Sequence, residues 1–321
     1  MRQLMPLGRI VLAPEALWAG VAFLFGLVVG SFANVCIHRL PEGESVVRPR
    51  SRCPRCAAPI AARDNIPVLS YLMLRGRCRS CSAPISPRYP AIEAANGLLY
   101  AAMALKYGPP MQLAVLASPS AVNPAVFAGS VYGLLAWLLN CWALPTALLV
   151  LAVIDFEHHL LPNAITKPGI AAGLGVSAAA SLPAPFGAFL VPRLCPPLCL
   201  PATVVECLVA ALLGYLAVWL VYHAAKGYYR HVKGEDVEPL GFGDAKLLAM
   251  LGAFRGSLGL WTAGLLGTSL GALYGLAMVA ARRAGRRTEI PLGTFLCAGA
   301  LLELLAGGEL LAWYRSLFPH P

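Results

Sequence analysis

Charge is what this chain has least of. Only 12% of its 321 residues are charged, about half the share of an ordinary soluble domain, which excludes a typical water-soluble enzyme. A hydrophobic content of 58% excludes a disordered chain as firmly. Polar and apolar residues nowhere alternate with period two along the long apolar runs, so no strand is expected in them. A Ser–His pairing, an HExxH motif and a soluble-type GxGxxG loop are all missing. A cleavable secretory signal is not expected either, because Ala13, Pro14 and Glu15 precede the first apolar run without a basic segment.

What is present instead is a series of apolar runs, at about 16–37, 91–106, 127–154, 164–181, 203–223, 244–255, 258–281 and 291–313. A bilayer core takes about 20 apolar residues per helical crossing, so these runs predict an all-α polytopic membrane protein of about eight spans. The run at 244–255 is the shortest and begins at Asp244. The formal net charge of +10 follows from topology: with 38–89 placed in the cytoplasm and the spans alternating, 19 of the 25 Lys and Arg residues fall inside. Both termini then lie outside. Outside too are the Pro/Ser/Ala-rich segment 107–126 and the segment 182–202, where Cys195 and Cys199 either pair or remain thiols. Gly267, Gly271 and Gly275 fall four apart, a small-residue face for close helix packing. No internal repeat is read.

Four of the ten cysteines form two CxxC pairs, Cys53/Cys56 and Cys78/Cys81, inside the one strongly polar stretch. Four thiolates at this spacing can close a tetrahedral shell, which suits a structural Zn²⁺ and leaves no open coordination position. Reduced packing thiols and an iron–sulfur or redox site are the alternatives. A nucleic-acid-binding ribbon is not expected, since the segment is tied to a span at each end and topology already explains its arginines. The domain reading is an N-terminal segment and span over 1–37, a cytoplasmic zinc-binding loop domain over 38–90 and a membrane domain over 91–321.

Asp155 ends an apolar run, and Asp244 sits in Gly241-Phe242-Gly243-Asp244. A carboxylate beside hydrocarbon is costly and marks a functional candidate. Two that approach each other share one proton, so one can polarise a carbonyl while the other activates water. Gly241 and Gly243, lacking Cβ, would let a substrate backbone come close. A helix-capping Asp244 is the plainer reading of that motif. Glu157 reads as an interfacial charge. His158 and His159 read as interfacial side chains rather than a metal site or proton shuttle.

The chain resembles the bacterial type IV prepilin peptidases, bifunctional leader peptidase/N-methyltransferases of the GxGD aspartyl protease class. The resemblance rests on GSFANVCIHRLP (Gly30–Pro41), SRCPRC (Ser51–Cys56), DNIPVLSYLMLRGRCRSC (Asp64–Cys81), ISPRYPAIE (Ile85–Glu93), VIDFEHHLLPN (Val153–Asn163) and GFGDAKLLAMLGAF (Gly241–Phe254), in the family's order. It implies an inner-membrane enzyme that removes the leader of prepilins or type II secretion pseudopilins on the cytoplasmic side. It then N-methylates the new terminus with S-adenosylmethionine. It implies Asp155 and Asp244 as the catalytic pair and Cys53, Cys56, Cys78 and Cys81 as zinc ligands. Glu93 and Gly97 become the candidates for the cofactor. Asn163 stands where many relatives carry Asp. The leader's basic residues would meet Glu235, Asp236 and Glu238. The alternatives are a peptidase without methyl transfer, a proton-coupled transporter using the two aspartates as a relay, and a non-catalytic assembly scaffold.

Overall fold

The computed structural model describes residues 14–108, 131, 134–180, 204–233, 241–282 and 290–317. The expectations for Cys195 and Cys199, for Glu235, Asp236 and Glu238, and for nearly all of 107–126 and 182–202 lie outside them. Among the described residues the architecture is helical, and its only β pairing consists of isolated bridges in the polar segment. The helices are α1 (Pro14–Arg39), α2 (Leu69–Met73), α3 (Arg88–Tyr107), α4 (Leu144–His158), α5 (Asn163–Ala180), α6 (Val204–Tyr228), α7 (Phe242–Ala280) and α8 (Leu292–Ser316).

Five helical stretches among the described residues are long and apolar enough to cross a membrane: Glu15–Arg39, Leu134–His158, Val204–Val232, Phe242–Ala280 and Leu292–Ser316. Two of the expected spans, in α3 and α5, are not among these five. Arg88, Glu93, Asn96 and Lys106 dilute the apolar content of α3, and α5 has only 18 residues, with Lys167 and Pro168 among them.

Local chemistry sets the helix ends. Pro14 opens α1, where a missing N–H costs nothing, and Glu15 and then His38 and Arg39 complement the two ends of the helix dipole. A π turn over Leu139–Ala143 precedes α4. It comes just before Pro145, which cannot donate to the carbonyl four residues back and crowds it.

Two of the expected spans, 244–255 and 258–281, are the limbs of α7. Its 39 residues are interrupted at Gly256, whose φ of 65° and ψ of −168° lie outside helical space. The contacts show that the chain doubles back there. In the first limb Gly252 meets Ala210 and Gly214 of α6 meets Leu248, an antiparallel pairing. In the second limb Gly267 meets Leu296 and Gly275 meets Ile290, antiparallel to α8. Leu161 touches the backbone positions of both Gly243 and Gly293, so the start of α7 lies at the same end as the start of α8. The face formed by Gly267, Gly271 and Gly275 therefore packs against α8, as its spacing predicts.

Buried polar contacts tie the N-terminal helices to this body. The Asn96 amide of α3 donates to the Gly26 carbonyl at 2.8 Å, and its Oδ1 accepts from the Thr146 hydroxyl of α4 at 2.9 Å. The Tyr100 hydroxyl lies 3.0 Å from the same threonine oxygen. In an apolar bundle each such bond adds about 1 kcal/mol and fixes helix register. At the Gly256 turn of α7, Arg255 and Glu303 form a buried two-point ion pair at 3.0 and 2.7 Å.

Candidate active site and metal centre

Asp155 occupies the last turn of α4 and Asp244 the first turn of α7; they are 6% and 8% exposed. The turn that joins α4 to α5 brings them together. His159 takes the left-handed conformation and its N–H closes α4 on the Asp155 carbonyl at 2.9 Å. Two residues later, Leu161 packs between Gly243 and Gly293. A Cβ at either glycine would stand 2.9 Å from a Leu161 carbon, and at Gly293 also 2.9 Å from Asp155 Oδ2. Leu161 therefore links the end of α4 that carries Asp155 to the start of α7 that carries Asp244.

The pair is asymmetric. Asp155 Oδ2 accepts the Thr294 backbone N–H at 2.7 Å, and the Thr294 hydroxyl lies 3.1 Å from that oxygen and 3.0 Å from the Ala152 carbonyl. These donors sit at the N-terminus of α8, where unpaired N–H groups and the helix dipole favour an acceptor. The Asp244 carboxyl makes no hydrogen bond among the described residues; its backbone N–H reaches the Gly241 carbonyl at 3.3 Å. Two carboxylates, one fixed by donors and one free to engage a ligand, can perform water-mediated acyl hydrolysis.

Of the two glycines expected to admit a substrate, Gly243 lies against Leu161, whereas a Cβ at Gly241 would meet only the Gly243 nitrogen, at 3.9 Å. Asn163 Oδ1 accepts from Lys246 Nζ at 2.7 Å, tying the start of α5 to α7 beside the pair. Glu157 forms an ion pair with Arg88 at the start of α3, which joins the polar segment to the carboxylate end of α4. His158 and His159 join no metal-binding group among the described residues. Sequence reading missed Gly293 and Thr294. Their signal was Pro291-Leu-Gly-Thr294 opening the last apolar run, a helix start on the side where the aspartates lie.

The four cysteines converge as their spacing predicts, with all Sγ atoms within 4.8 Å of one another. Zn–S bonds of about 2.3 Å place tetrahedral sulfurs about 3.8 Å apart, and Cys53 Sγ and Cys81 Sγ are 3.9 Å apart. This donor set and spacing fit a tetrahedral zinc ion. N–H groups of Cys56 and Arg55 pull the Cys53 thiol down to about 6, while the neighbouring sulfurs, against the Ala83 N–H, push the Cys81 thiol up to about 11. The two knuckles are built alike. Cys53 and Cys78 each donate their N–H five residues on, to Ala58 at 2.9 Å and Ala83 at 2.8 Å. Each knuckle has a left-handed residue, Ala57 or Ser82, and a bridge, Arg52–Pro59 or Arg77–Pro84. This corrects the absence of a repeat: RCPRCAAPI (Arg52–Ile60) and RCRSCSAPI (Arg77–Ile85) are two copies of one unit. They escaped notice because each is only nine residues long. Asp64, in the turn after the first knuckle, and Arg79 of the second form a bidentate pair at 2.8 and 2.6 Å, and the guanidinium holds the Asp64 carboxyl below its ordinary value.

Glu93 and Gly97, the cofactor candidates, lie one turn apart on the face of α3 that meets α1. Glu93 Oε2 accepts the Val68 N–H at 2.7 Å. A Cβ at Gly97 would come within 2.9 Å of Leu27 and 3.0 Å of Phe23.

Residues 24–107 match the family described as the bacterial peptidase A24 N-terminal domain, and residues 142–276 match the type IV leader peptidase family. Similar proteins include three curated prepilin leader peptidase/N-methyltransferases. That of Stutzerimonas stutzeri is 35% identical over 91% of this chain and 92% of its own. That of Klebsiella pneumoniae is 39% identical over 77% and 92%. That of Pseudomonas putida is 33% identical over 96% and 97%. No solved structure matches the chain.

Proposed function

The chain belongs to the type IV leader peptidase family, and on that premise we propose that it cleaves prepilin or pseudopilin leaders and N-methylates the new terminus. The observation that supports the reading is that two buried carboxylates, Asp155 and Asp244, lie on either side of Leu161 where α4, α7 and α8 converge. The cleavage is a hydrolysis without a covalent enzyme intermediate. One carboxylate of the pair takes a proton from water as the water oxygen attacks the scissile carbonyl. The other, protonated, polarises that carbonyl. The tetrahedral intermediate then collapses with its amide nitrogen taking a proton, releasing leader and mature amine. The Thr294 N–H holds Asp155 in register for this step, and Gly241 leaves room for a substrate backbone beside Asp244.

The substrate's apolar helix would enter from the bilayer of the bacterial inner membrane, with its basic leader on the cytoplasmic side. The excess of Lys and Arg in segments on the Asp155 side supports this orientation. The Gly256 hairpin in α7 separates the runs 244–255 and 258–281 into two limbs of opposite direction. A loop domain over 38–90 between an N-terminal span and the membrane domain is consistent with the paired knuckles. Cys53, Cys56, Cys78 and Cys81 would hold a Zn²⁺ that shapes this domain and takes no part in the chemistry.

Methyl transfer is carried to this chain by the names of its relatives. S-adenosylmethionine would supply the methyl group, with Glu93 and Gly97 remaining the candidate positions. Their packed setting between α1 and α3 gives no open cradle, and no step is assigned to them. The decisive experiment co-expresses a prepilin with Asp155→Asn or Asp244→Asn and weighs the product by mass spectrometry. Each variant should leave the leader attached; full cleavage by either would overturn the dyad. In the wild type, leader loss without an added methyl would reduce the reading to a peptidase alone.

A further inference from the structure

Most exposed apolar side chains sit on the long helices, where a bilayer covers them. One group does not. In the polar segment, the five-residue helix α2 buries only Ser70 and leaves Leu69, Leu72 and Met73 exposed; Leu72 and Met73 are 64% and 67% accessible. Ile66 precedes them, also exposed. Directly after α2, Arg75, Arg77 and Arg79 line a depression of about 650 Å³ together with Met73 and Ser82. Arg79 is paired with Asp64, while Arg75 and Arg77 face no carboxylate among the described residues.

A second observation fixes where this apolar group lies. The Val68 N–H, immediately before α2, is bonded to Glu93. Glu93 is five residues into α3 and packs against Gly30 of α1, nine residues before that helix ends. At 1.5 Å per residue the Glu93 backbone lies about 7–8 Å along α3 from its start, and Gly30 about 13 Å along α1 from its end. The segment therefore dips beside the two helices instead of standing clear of them. An apolar face beside these two helices, bordered by Arg75 and Arg77, matches the interfacial zone of a bilayer with acidic headgroups.

We infer that α2 and its flanks are an interfacial membrane anchor: Leu69, Leu72 and Met73 enter the leaflet, and Arg75 and Arg77 engage the phosphates of anionic phospholipids. This rests on the membrane reading and not on the peptidase chemistry. The anchor would hold the cysteine module against the membrane next to the Arg88–Glu157 tie to α4.

Site-specific photocrosslinking tests it on the full-length, zinc-loaded protein in nanodiscs of phosphatidylcholine, with or without phosphatidylglycerol. Benzoylphenylalanine is placed at position 72 or 73. The control is position 47, an exposed valine in the loop that Arg39 caps beyond the end of α1. The expected result is phospholipid adducts at 72 and 73, several-fold above position 47 and enriched in phosphatidylglycerol. Arg75→Ala with Arg77→Ala should reduce that enrichment several-fold while keeping the adducts. Adducts no more frequent than at 47, or crosslinks at 72 and 73 only to a co-reconstituted prepilin, would overturn the anchor. So would an enrichment indifferent to the two arginines. Retained metal in each variant shows that the module is folded, and none of these readouts depends on cleavage.

Discussion

A single carboxylate oxygen illustrates how the site works at the residue scale. Asp155 Oδ2 is held by the backbone N–H and approached by the hydroxyl of Thr294, with Gly293 against it. Thr294→Val keeps the N–H and removes the hydroxyl. Cleavage should slow roughly fivefold, equivalent to about 1 kcal/mol for one hydrogen bond. Gly293→Ala inserts a methyl where Asp155 Oδ2 and Leu161 already stand at 2.9 Å. Displacing a catalytic group by an ångström costs on the order of a hundredfold, so cleavage should fall by about that factor in single-turnover assays while metal content is unchanged. Neither residue is chemically conspicuous in the sequence. Their importance comes from lying at the N-terminus of a helix 139 positions away in the chain from the aspartate they serve.

At the scale of the element, α7 is the informative case. Its first limb, Phe242 to Arg255, is about 21 Å long, short of a bilayer core of about 30 Å. Gly256 turns it back toward the end from which it came. The conformation there is accessible essentially to glycine, and Gly256→Ala should cost about 1–3 kcal/mol, visible as a lower midpoint of thermal unfolding in detergent. The Arg255–Glu303 pair clamps the hairpin tip to α8. Breaking one partner leaves a buried charge, so Glu303→Leu alone should destabilise by about 3–5 kcal/mol. Arg255→Met with Glu303→Leu should recover most of that loss in the same unfolding assay.

For the whole molecule, two coupled bodies share one end. The cysteine module has no core of its own, and its stability should come from the metal. Stripping zinc with a chelator is expected to abolish the module's protection from proteolysis between residues 48 and 85, while α7 and α8 stay protected. Restored protection on adding Zn²⁺ completes the check. The Arg88–Glu157 pair and the Asn96–Thr146 bond carry the link from α1 and α3 to α4. Through them α3, itself bonded to α1 by Asn96, is held against the helix that ends at the Asp155 turn.

Much of this was legible in the sequence because the bilayer leaves few choices. Apolar runs of sufficient length must be helices, and scarce carboxylates at their ends are conspicuous for their cost. CxxC spacing likewise fixes a four-sulfur shell, since each pair is local and only one closure remains. By itself the sequence determined the helical class, the cysteine cluster and the two aspartates. Only the tertiary structure decided that Asp155 is held by Thr294, that Leu161 wedges between Gly243 and Gly293, that α7 doubles back at Gly256, and that the start of α2 is tied to Glu93 of α3. These depend on contacts between helices far apart in the chain, where packing, and not local propensity or hydropathy, sets which groups meet.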